Sequence, residues 1–490
     1  MKKSLLAIAI LIQAVSGWGQ SASATWAVKF SDAIISRYQP TINTMTGKGW
    51  EYSNSIILHG MEKVYANVPN VAYYNYIKAY VDAYVNSSGS ISGLAQNMDK
   101  IHPGLLCLFL YEKNGLTKYK TAAKKLRDYL LAGTYPKTPD GGYWHKNTAA
   151  YKNVLMADGM YMAYPFIVKY GRMFNDPVCY DSATSQILRL ASKLYVGSSG
   201  LLKHAWNYDK TTFAWSDPVT GVSREVWSRG MGWFMMALVD VLRYLPATHA
   251  KYAAIKSLLV NLAAGIRNTQ DPATGLWYDI VDKAGSAGNY LETSGSAMFV
   301  YSLKIACDSG WVPAATYLPV AQAGWNGVQT TIGTYTDGKP QIRQFAPAMS
   351  VQNNYSAYVS IAPVNCPASS GTQHPHGYAS LLMAASVMEF PLAAGQTLNP
   401  GIVPAEDKIS DWAVYPNPTD GSFSARFRMN QDAHFSLMLS DFSGRVLLTR
   451  AVEAHPGLNS LSWSLAGLPT GVYLVSAKGA RLAPVKLVKR

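Results

Sequence analysis

Cysteine is scarce and its spacing is unhelpful to metals. Four residues, Cys107, Cys179, Cys307 and Cys366, are spread over 490 positions with no CxxC pair, which argues against a thiolate zinc or iron-sulfur site. Widely separated thiols in a large domain are expected to be buried, unpaired and apolar in behaviour, even in an oxidising compartment. No HExxH and no cluster of histidines with carboxylates occurs, so neither a catalytic metal nor a cofactor is expected. Charge is also sparse, at 15% of residues. The net charge of +14 is not gathered into a basic helix or arm, so nucleic acid is not an expected partner. Past the first residues, no apolar run approaches the roughly 20 residues that a membrane-spanning helix needs.

What is abundant is apolar and aromatic material, 49% and 12% of the chain, with thirty-two Tyr and thirteen Trp. Aromatics serve both as core and as flat platforms for sugar rings, and composition alone does not separate the two uses. The start reads as an export signal: Lys2 and Lys3 precede the apolar run Leu5 to Leu11, and the small residues Ser16, Gly17 and Gly19 follow, placing cleavage after about Gln20. A protein of this length is expected to hold one large domain plus something smaller.

The texture changes in the polar, Pro-containing stretch from Gly395 to Asp411. Before it, apolar residues recur at helical spacing, and the periodic segments come in pairs. Ser55 to Asn67 goes with Tyr73 to Asn86, His102 to Asn114 with Thr117 to Ala132, and Asp158 to Tyr170 with Asp181 to Tyr195. Ser228 to Leu245 goes with Lys251 to Asn268, and Glu292 to Asp308 with Ala314 to Gly327. Gly377 to Glu389 has no successor and Thr25 to Arg37 no predecessor. Twelve helices in six pairs, the first closing on the last, predict an all-α (α/α)6 six-hairpin barrel over residues 21–395. Gly-rich aromatic loops such as Thr138 to Thr148 and Asp271 to Tyr278 are where a site would gather.

After a linker over 396–410, residues 411–490 alternate apolar and polar in short runs separated by turn residues, which predicts a small antiparallel β-sandwich. The tail carries Tyr415-Pro-Asn-Pro-Thr-Asp-Gly, Asp441-Phe-Ser-Gly-Arg, Leu468-Pro-Thr-Gly-Val-Tyr-Leu and a closing Lys486-Leu-Val-Lys. That set resembles the C-terminal sorting domain of the type IX secretion system. The resemblance implies passage across an outer membrane by that machinery and a secreted or cell-surface location.

Several polar groups in the body stand where helices begin. Asp99 precedes Pro103 in Asn97-Met-Asp-Lys-Ile-His-Pro-Gly, either as a helix cap or as a site carboxylate. Asp158 lies among apolar neighbours in Met156-Ala-Asp-Gly-Met-Tyr-Met-Ala-Tyr-Pro; desolvation there predicts a raised pKa and a proton held at neutral pH. Trp144-His145-Lys146 and Lys203-His204-Ala-Trp206 set histidines beside aromatics, to touch a sugar hydroxyl or simply to pack. In Trp227-Ser-Arg229-Gly-Met231-Gly-Trp233, the arginine could fork onto a carboxylate and the tryptophan carry a ring; alternatively the arginine binds carbonyls at the barrel centre.

Together with Asn289-Tyr-Leu-Glu-Thr-Ser-Gly-Ser-Ala-Met-Phe, and in this order from about Trp50 to Glu389, these segments resemble the unsaturated rhamnogalacturonyl hydrolases of glycoside hydrolase families 88 and 105. The resemblance implies removal of the terminal 4,5-unsaturated uronic acid that a lyase leaves on a pectin (rhamnogalacturonan) oligosaccharide, by hydration of its C4=C5 bond. Asp158 would protonate C4 and then take a proton from water attacking C5. Asp99 would be the second carboxylate, raising the pKa of Asp158 and stabilising positive charge. His145, Lys146, His204, Arg229 and Trp233 would bind the uronate and its hydroxyls. The chain departs from the pattern at Met231, where many members carry a polar residue between the glycines. Unsaturated glucuronate from ulvan or a glycosaminoglycan is the alternative substrate, and a non-catalytic surface glycan-binding protein the alternative class.

Overall fold

A computed structural model describes residues 25–390 and 410–490, apart from 430–432, 442–443, 456 and 479–483. The expected export signal and nearly all of the expected linker lie outside the described residues. The body holds fourteen helices among the described residues, twelve of them long. They are α1 (Trp26–Arg37), α2 (Tyr52–Asn67), α3 (Val71–Tyr84), α4 (Gly104–Asn114), α5 (Thr117–Leu131) and α6 (Ala157–Phe174). Then come α7 (Pro177–Leu194), α8 (Ser228–Tyr244), α9 (Tyr252–Thr269), α10 (Thr293–Asp308), α11 (Ala314–Thr330) and α12 (His376–Met388).

Burial divides these helices into two kinds. In α8 every residue but Arg243 is buried, and in α10 every residue but Asp308, so these helices are covered all round. By contrast α5 buries Tyr119, Ala122, Ala123, Leu126 and Leu130, one stripe at helical spacing, with its lysines outside. The even-numbered helices pack on one another in sequence, and α12 returns to α2. Local chemistry sets the helix ends. Thr25 accepts from the Val28 N–H, Pro177 opens α7, and Gly115 and Asn175 terminate α4 and α6 at positive φ of 67° and 51°, as left-handed caps do.

One segment departs from simple pairing. Between α11 and α12 the chain builds a three-stranded antiparallel sheet from Ile332–Thr334, Pro340–Phe345 and Val364–Cys366, plus the short helix Tyr355–Val359. The four cysteines are buried and unpaired, as their spacing suggested. No described helix is long and apolar enough to cross a membrane.

The C-terminal region forms strands β1 (Ser410–Tyr415), β2 (Ser422–Met429), β3 (Ala433–Asp441), β4 (Val446–Ala454), β5 (Gly457–Ser464), β6 (Gly471–Lys478) and β7 (Val485–Lys489). They make two antiparallel sheets of order β1-β2-β5 and β4-β3-β6-β7. Alternation places Phe423, Ala425, Phe427 and Met429 of β2 inward, where they join Leu437, Leu439, Trp463, Tyr473, Val475 and Leu487 in a core of their own. That is the layered solution for strands with one apolar face each.

Two expectations follow. The carboxylate of Glu389, just after α12, accepts from the free N–H groups of Trp26 and Ala27 at 2.9 and 2.8 Å, so the last helix caps the first. Glu389→Ala should destabilise the body by about 1 kcal/mol, the usual worth of a lost N-terminal cap, seen as a lower midpoint in thermal unfolding; an unchanged midpoint would remove that role. Because the tail strands have their own core, deleting the chain from about Lys408 should leave helical circular dichroism and activity intact. A truncated body that aggregates would make the tail structural.

Candidate active site

The site grows from backbone pairing between loops at the starts of the even-numbered helices. Val154–Met156 pairs antiparallel with Ala205–Asn207, Met156 opposite Ala205, and the Ala157 N–H donates to the His204 carbonyl at 2.9 Å. This brings Asp158, in the first turn of α6, beside His204: Nε2 of the imidazole lies 3.1 Å from Asp158 Oδ2. Burial by itself would raise the Asp158 carboxyl, but His204, through its charge and hydrogen bond, and the charge of His145 hold it below its ordinary value. The sequence expectation of a raised pKa is therefore corrected for the free protein, because the desolvated carboxylate was given an imidazole partner.

Asp99 sits in a 3-10 turn, Met98–Lys100, whose cap is Asn97 rather than Asp99 itself. The Met98 N–H donates to the His145 carbonyl and Asn97 bridges Lys146, so two loops zip together and deliver the imidazole and the ammonium to the carboxylate. His145 Nε2 stands 3.3 Å and Lys146 Nζ 2.7 Å from its two oxygens. Burial pushes the Asp99 carboxyl up, yet His145 and Lys146 hold it well below the usual carboxylate range. The same pair keeps Lys146 above its ordinary value against its own desolvation. Asp99 is thus ionised and compensated, and its charge is not what sets the titration of Asp158. Gly159 permits the approach: a Cβ there would stand 2.9 Å from His145 Nδ1 and 2.8 Å from Met98 Sδ.

The arginine and tryptophans are placed differently from expectation. Arg229 is 1% exposed, lies over the Trp227 ring at 4.6 Å, and donates from its two terminal nitrogens to the carbonyls of Ala346 and Pro347. Its fork is thus engaged with backbone carbonyls, the alternative that the sequence had left open. Trp233 is 2% exposed and stacked on Tyr161 with ring centres 5.0 Å apart, so in the free protein it belongs to a buried stack rather than an open platform. Met231 is fully buried in the core. The glycines flanking it serve packing, since a Cβ at Gly230 would meet His204 at 3.1 Å and one at Gly232 would meet Met298 at 2.8 Å.

Other residues that the sequence reading did not single out complete the surroundings. Glu292 caps α10 by accepting from the N–H groups of Ser294 and Gly295, and also from the Ala346 N–H at 2.9 Å, so it ties the segment before α12 to α10. Trp227 packs on His204 at 4.6 Å and donates to Asp279 Oδ1 at 2.9 Å. Asp279 is fully buried, and desolvation, with the neighbouring Glu292 charge, pushes its carboxyl up to about 8. His376, at the start of α12, meets the Tyr52 hydroxyl of α2 at 3.3 Å. Asp99, Arg229 and Asp158 all act on that hydroxyl electrostatically, which locates these helix starts around one centre. Tyr358 reaches His204 Nδ1 at 2.7 Å from the segment between α11 and α12. Among the described residues no group of three or more histidines, cysteines and carboxylates is placed to hold a metal ion.

Residues 26–389 match the model of Glycosyl Hydrolase Family 88, and residues 413–489 match the Secretion system C-terminal sorting domain. A solved family 105 glycoside hydrolase of C. acetobutylicum ATCC 824 superposes with a TM-score of 0.68 at 28% identity, covering 75% of this chain and 99% of that one. A protein of Agrobacterium fabrum (strain C58) is 38% identical over 149 residues, 30% of this chain and 62% of that protein. The unsaturated 3S-rhamnoglycuronyl hydrolase of Formosa agariphila is 22% identical over 176 residues, 35% of this chain and 45% of that protein. The sorting domain marks a type IX-secreted, surface or extracellular protein. With the family model spanning the whole helical body, the chain belongs to Glycosyl Hydrolase Family 88.

Proposed function

We propose that the protein removes the terminal 4,5-unsaturated uronic acid from lyase-generated rhamnogalacturonan oligosaccharides by adding water across C4=C5. The observation that carries this reading is the pair of unequal carboxylates: Asp99, ionised by His145 and Lys146, and Asp158, bonded through one oxygen to His204. A closed (α/α)6 barrel is the architecture proposed with it, supported by the return of α12 onto α2 and by the Glu389 cap on α1. Helix starts around one centre give it a positive field, suited to a uronate.

The substrate carboxylate supplies what the free site lacks. Its negative charge, with exclusion of water, raises the Asp158 carboxyl in the complex until it holds a proton. Asp158 gives that proton to C4, and the π electrons of C4=C5 form the new C–H bond, leaving oxocarbenium character at C5. Asp99 stabilises the charge while staying ionised. Water then attacks C5 and its proton passes to the Asp158 carboxylate. The hemiketal collapses, the ring opens, and the shortened oligosaccharide leaves. No proton is needed on the glycosidic oxygen, so the carboxylate-separation rule for ordinary glycosidases does not apply. Lys146 and His145 act here by fixing Asp99 and presenting remaining donors to the uronate. His204 orients Asp158, and Arg229 holds the carbonyls of Ala346 and Pro347 at the site's edge. Trp233 forms the floor through its stack on Tyr161.

A second reading keeps the reaction and changes the sugar to unsaturated glucuronate from ulvan or a glycosaminoglycan; the name of the Formosa relative, an unsaturated 3S-rhamnoglycuronyl hydrolase, favours a uronate attached to rhamnose. Export fits either, with an N-terminal signal and the type IX tail carrying the enzyme to polymers outside the cell.

The deciding experiment follows the ultraviolet absorbance of the conjugated double bond with lyase-digested rhamnogalacturonan, ulvan and heparan in parallel, in ¹⁸O-water and in D₂O. The expected result is loss of the chromophore on the rhamnogalacturonan arm, ¹⁸O in the uronate fragment and deuterium at its C4. Label at the anomeric carbon with the chromophore preserved would return the chain to ordinary glycosidases. Asp158→Asn keeps the shape but removes the transferable proton, so turnover should fall at least about 10²-fold with circular dichroism unchanged. Turnover within a few-fold of the parent would take Asp158 out of the mechanism.

A further inference from the structure

We propose that Asp279 is a positioning residue that works as a neutral acid: it holds the Trp227 indole against His204 and Arg229 without adding a negative charge to the site. The proposal rests on the reaction given above and assigns a role to a carboxyl that the reaction does not use. Asp279 follows the strand Trp277–Tyr278, which pairs with Leu291–Glu292. Its N–H donates to the Tyr290 carbonyl, and its own carbonyl accepts from the Ser228 N–H at the start of α8, both at 2.8 Å. The backbone thus fixes the side chain beside Trp227, whose indole N–H donates to Asp279 Oδ1 at 2.9 Å. That indole lies 4.6 Å from both the His204 ring and the Arg229 guanidinium. The fit leaves no room at Gly230, where a Cβ would meet Trp227 at 3.3 Å and His204 at 3.1 Å.

Two carboxyls lie together here, and their donors differ. Glu292 accepts from the Ser294 N–H and hydroxyl, the Gly295 N–H, the Ala346 N–H and the Ser228 hydroxyl, surroundings that suit an anion. Asp279 is fully buried, its Oδ1 accepts from the indole, and its Oδ2 has no hydrogen-bond partner among the described residues. The terminal nitrogens of Arg229 are bonded instead to the carbonyls of Ala346 and Pro347. A buried anion with one donor beside a second anion is costly, whereas a neutral acid offers the indole the same acceptor. The proton therefore sits on Oδ2. Burial and the Glu292 charge push this carboxyl up to about 8, against the opposing pull of Arg229 and of the indole hydrogen bond. Asp279 in turn acts on the hydroxyls of Tyr290 and of Tyr358 on the short helix Tyr355–Val359.

The consequence concerns an anionic substrate. A neutral Asp279 leaves the positive field of Arg229 uncancelled for a uronate, while Trp227 keeps its bearing against His204, the partner of Asp158. As pH rises through about 8 Asp279 ionises, and its new charge then opposes that of the uronate. The hold on substrate weakens on the alkaline side.

The test uses the full-length protein. Infrared difference spectra of the parent against Asp279→Asn, without substrate, should show near neutral pH the C=O stretch of one protonated buried carboxyl, which disappears as pH rises through about 8. With the lyase-digested polymer that loses its chromophore, KM of the parent should rise about 3-fold or more over the same interval. That rise should be absent in Asp279→Asn, which keeps an acceptor for the indole and cannot ionise. Asp279→Leu has no acceptor and should lose about 10-fold in kcat, with Asp279→Asn restoring it to within about 3-fold of the parent. Absence of the infrared band overturns the proposal. So does an Asp279→Asn enzyme as damaged as Asp279→Leu, one whose KM follows pH as the parent's does, or an Asp279→Leu enzyme with the parent's kcat. The infrared spectrum and the Asp279→Asn profile decide the matter even if Asp279→Leu does not fold. Failure of the hydration reading itself would look different, as a parent enzyme that leaves the chromophore intact on every arm.

Discussion

The chemistry depends on a backbone hydrogen bond. Asp158 stands in the first turn of α6 and His204 just before the strand Ala205–Asn207, and they meet because the Ala157 N–H donates to the His204 carbonyl where Met156 pairs with Ala205. A strand pair of three residues on each side is weak by itself. Here it is backed by the apolar cluster of Val154, Met156, Ala205 and Trp215, so its register is fixed and the two side chains cannot drift apart. The zipped loops that carry Asp99, His145 and Lys146 repeat the device on the other side of the same helix start. Both times, irregular chain satisfies its backbone groups against other irregular chain and leaves the side chains free for the site.

Electrostatics then makes two aspartates unlike. Asp99 meets an ammonium and an imidazole in a buried pocket, and the gain from these two partners exceeds the cost of desolvation, so it stays ionised. Asp158 is hydrogen-bonded to one imidazole only, His145 acting on it through charge alone, and this weaker hold sets a lower barrier against taking a proton when a negative ligand arrives. In the proposed reaction, where one group acts as acid and then base, this balance serves better than a permanently raised pKa, because the substrate itself would trigger the change.

Behind both carboxylates lies a layer of fixed charge and packing. Glu292 takes the first N–H groups of α10 and that of Ala346, and Arg229 takes the carbonyls of Ala346 and Pro347. The segment before α12 is thereby held at the site from two helix starts, which is why Tyr358, carried on it, can reach His204. Side chains expected to grip substrate thus also hold the protein to itself, as precise placement of a reacting group requires.

Periodicity alone determined that the body is helical and paired and that the tail is a β-sandwich, because covered helices and half-covered strands leave their spacing in the order of apolar residues. Motif order, through the family resemblance, also brought Asp99, Asp158, His145, Lys146, His204 and Arg229 forward as candidates. What each would face was decided only in three dimensions. The apolar neighbours of Asp158 predicted desolvation correctly, but its partner, His204, lies 46 residues away and reverses the shift. Arg229 looked like a clamp for a ligand until two carbonyls more than a hundred residues on claimed it. Tyr358 left no mark at all, because a tyrosine in a polar loop acquires meaning only from what lies within 2.7 Å of its hydroxyl. A sequence records what each residue is and how often its kind recurs; the sign of a charge interaction and the direction of a hydrogen bond belong to distances between residues that the chain order keeps apart.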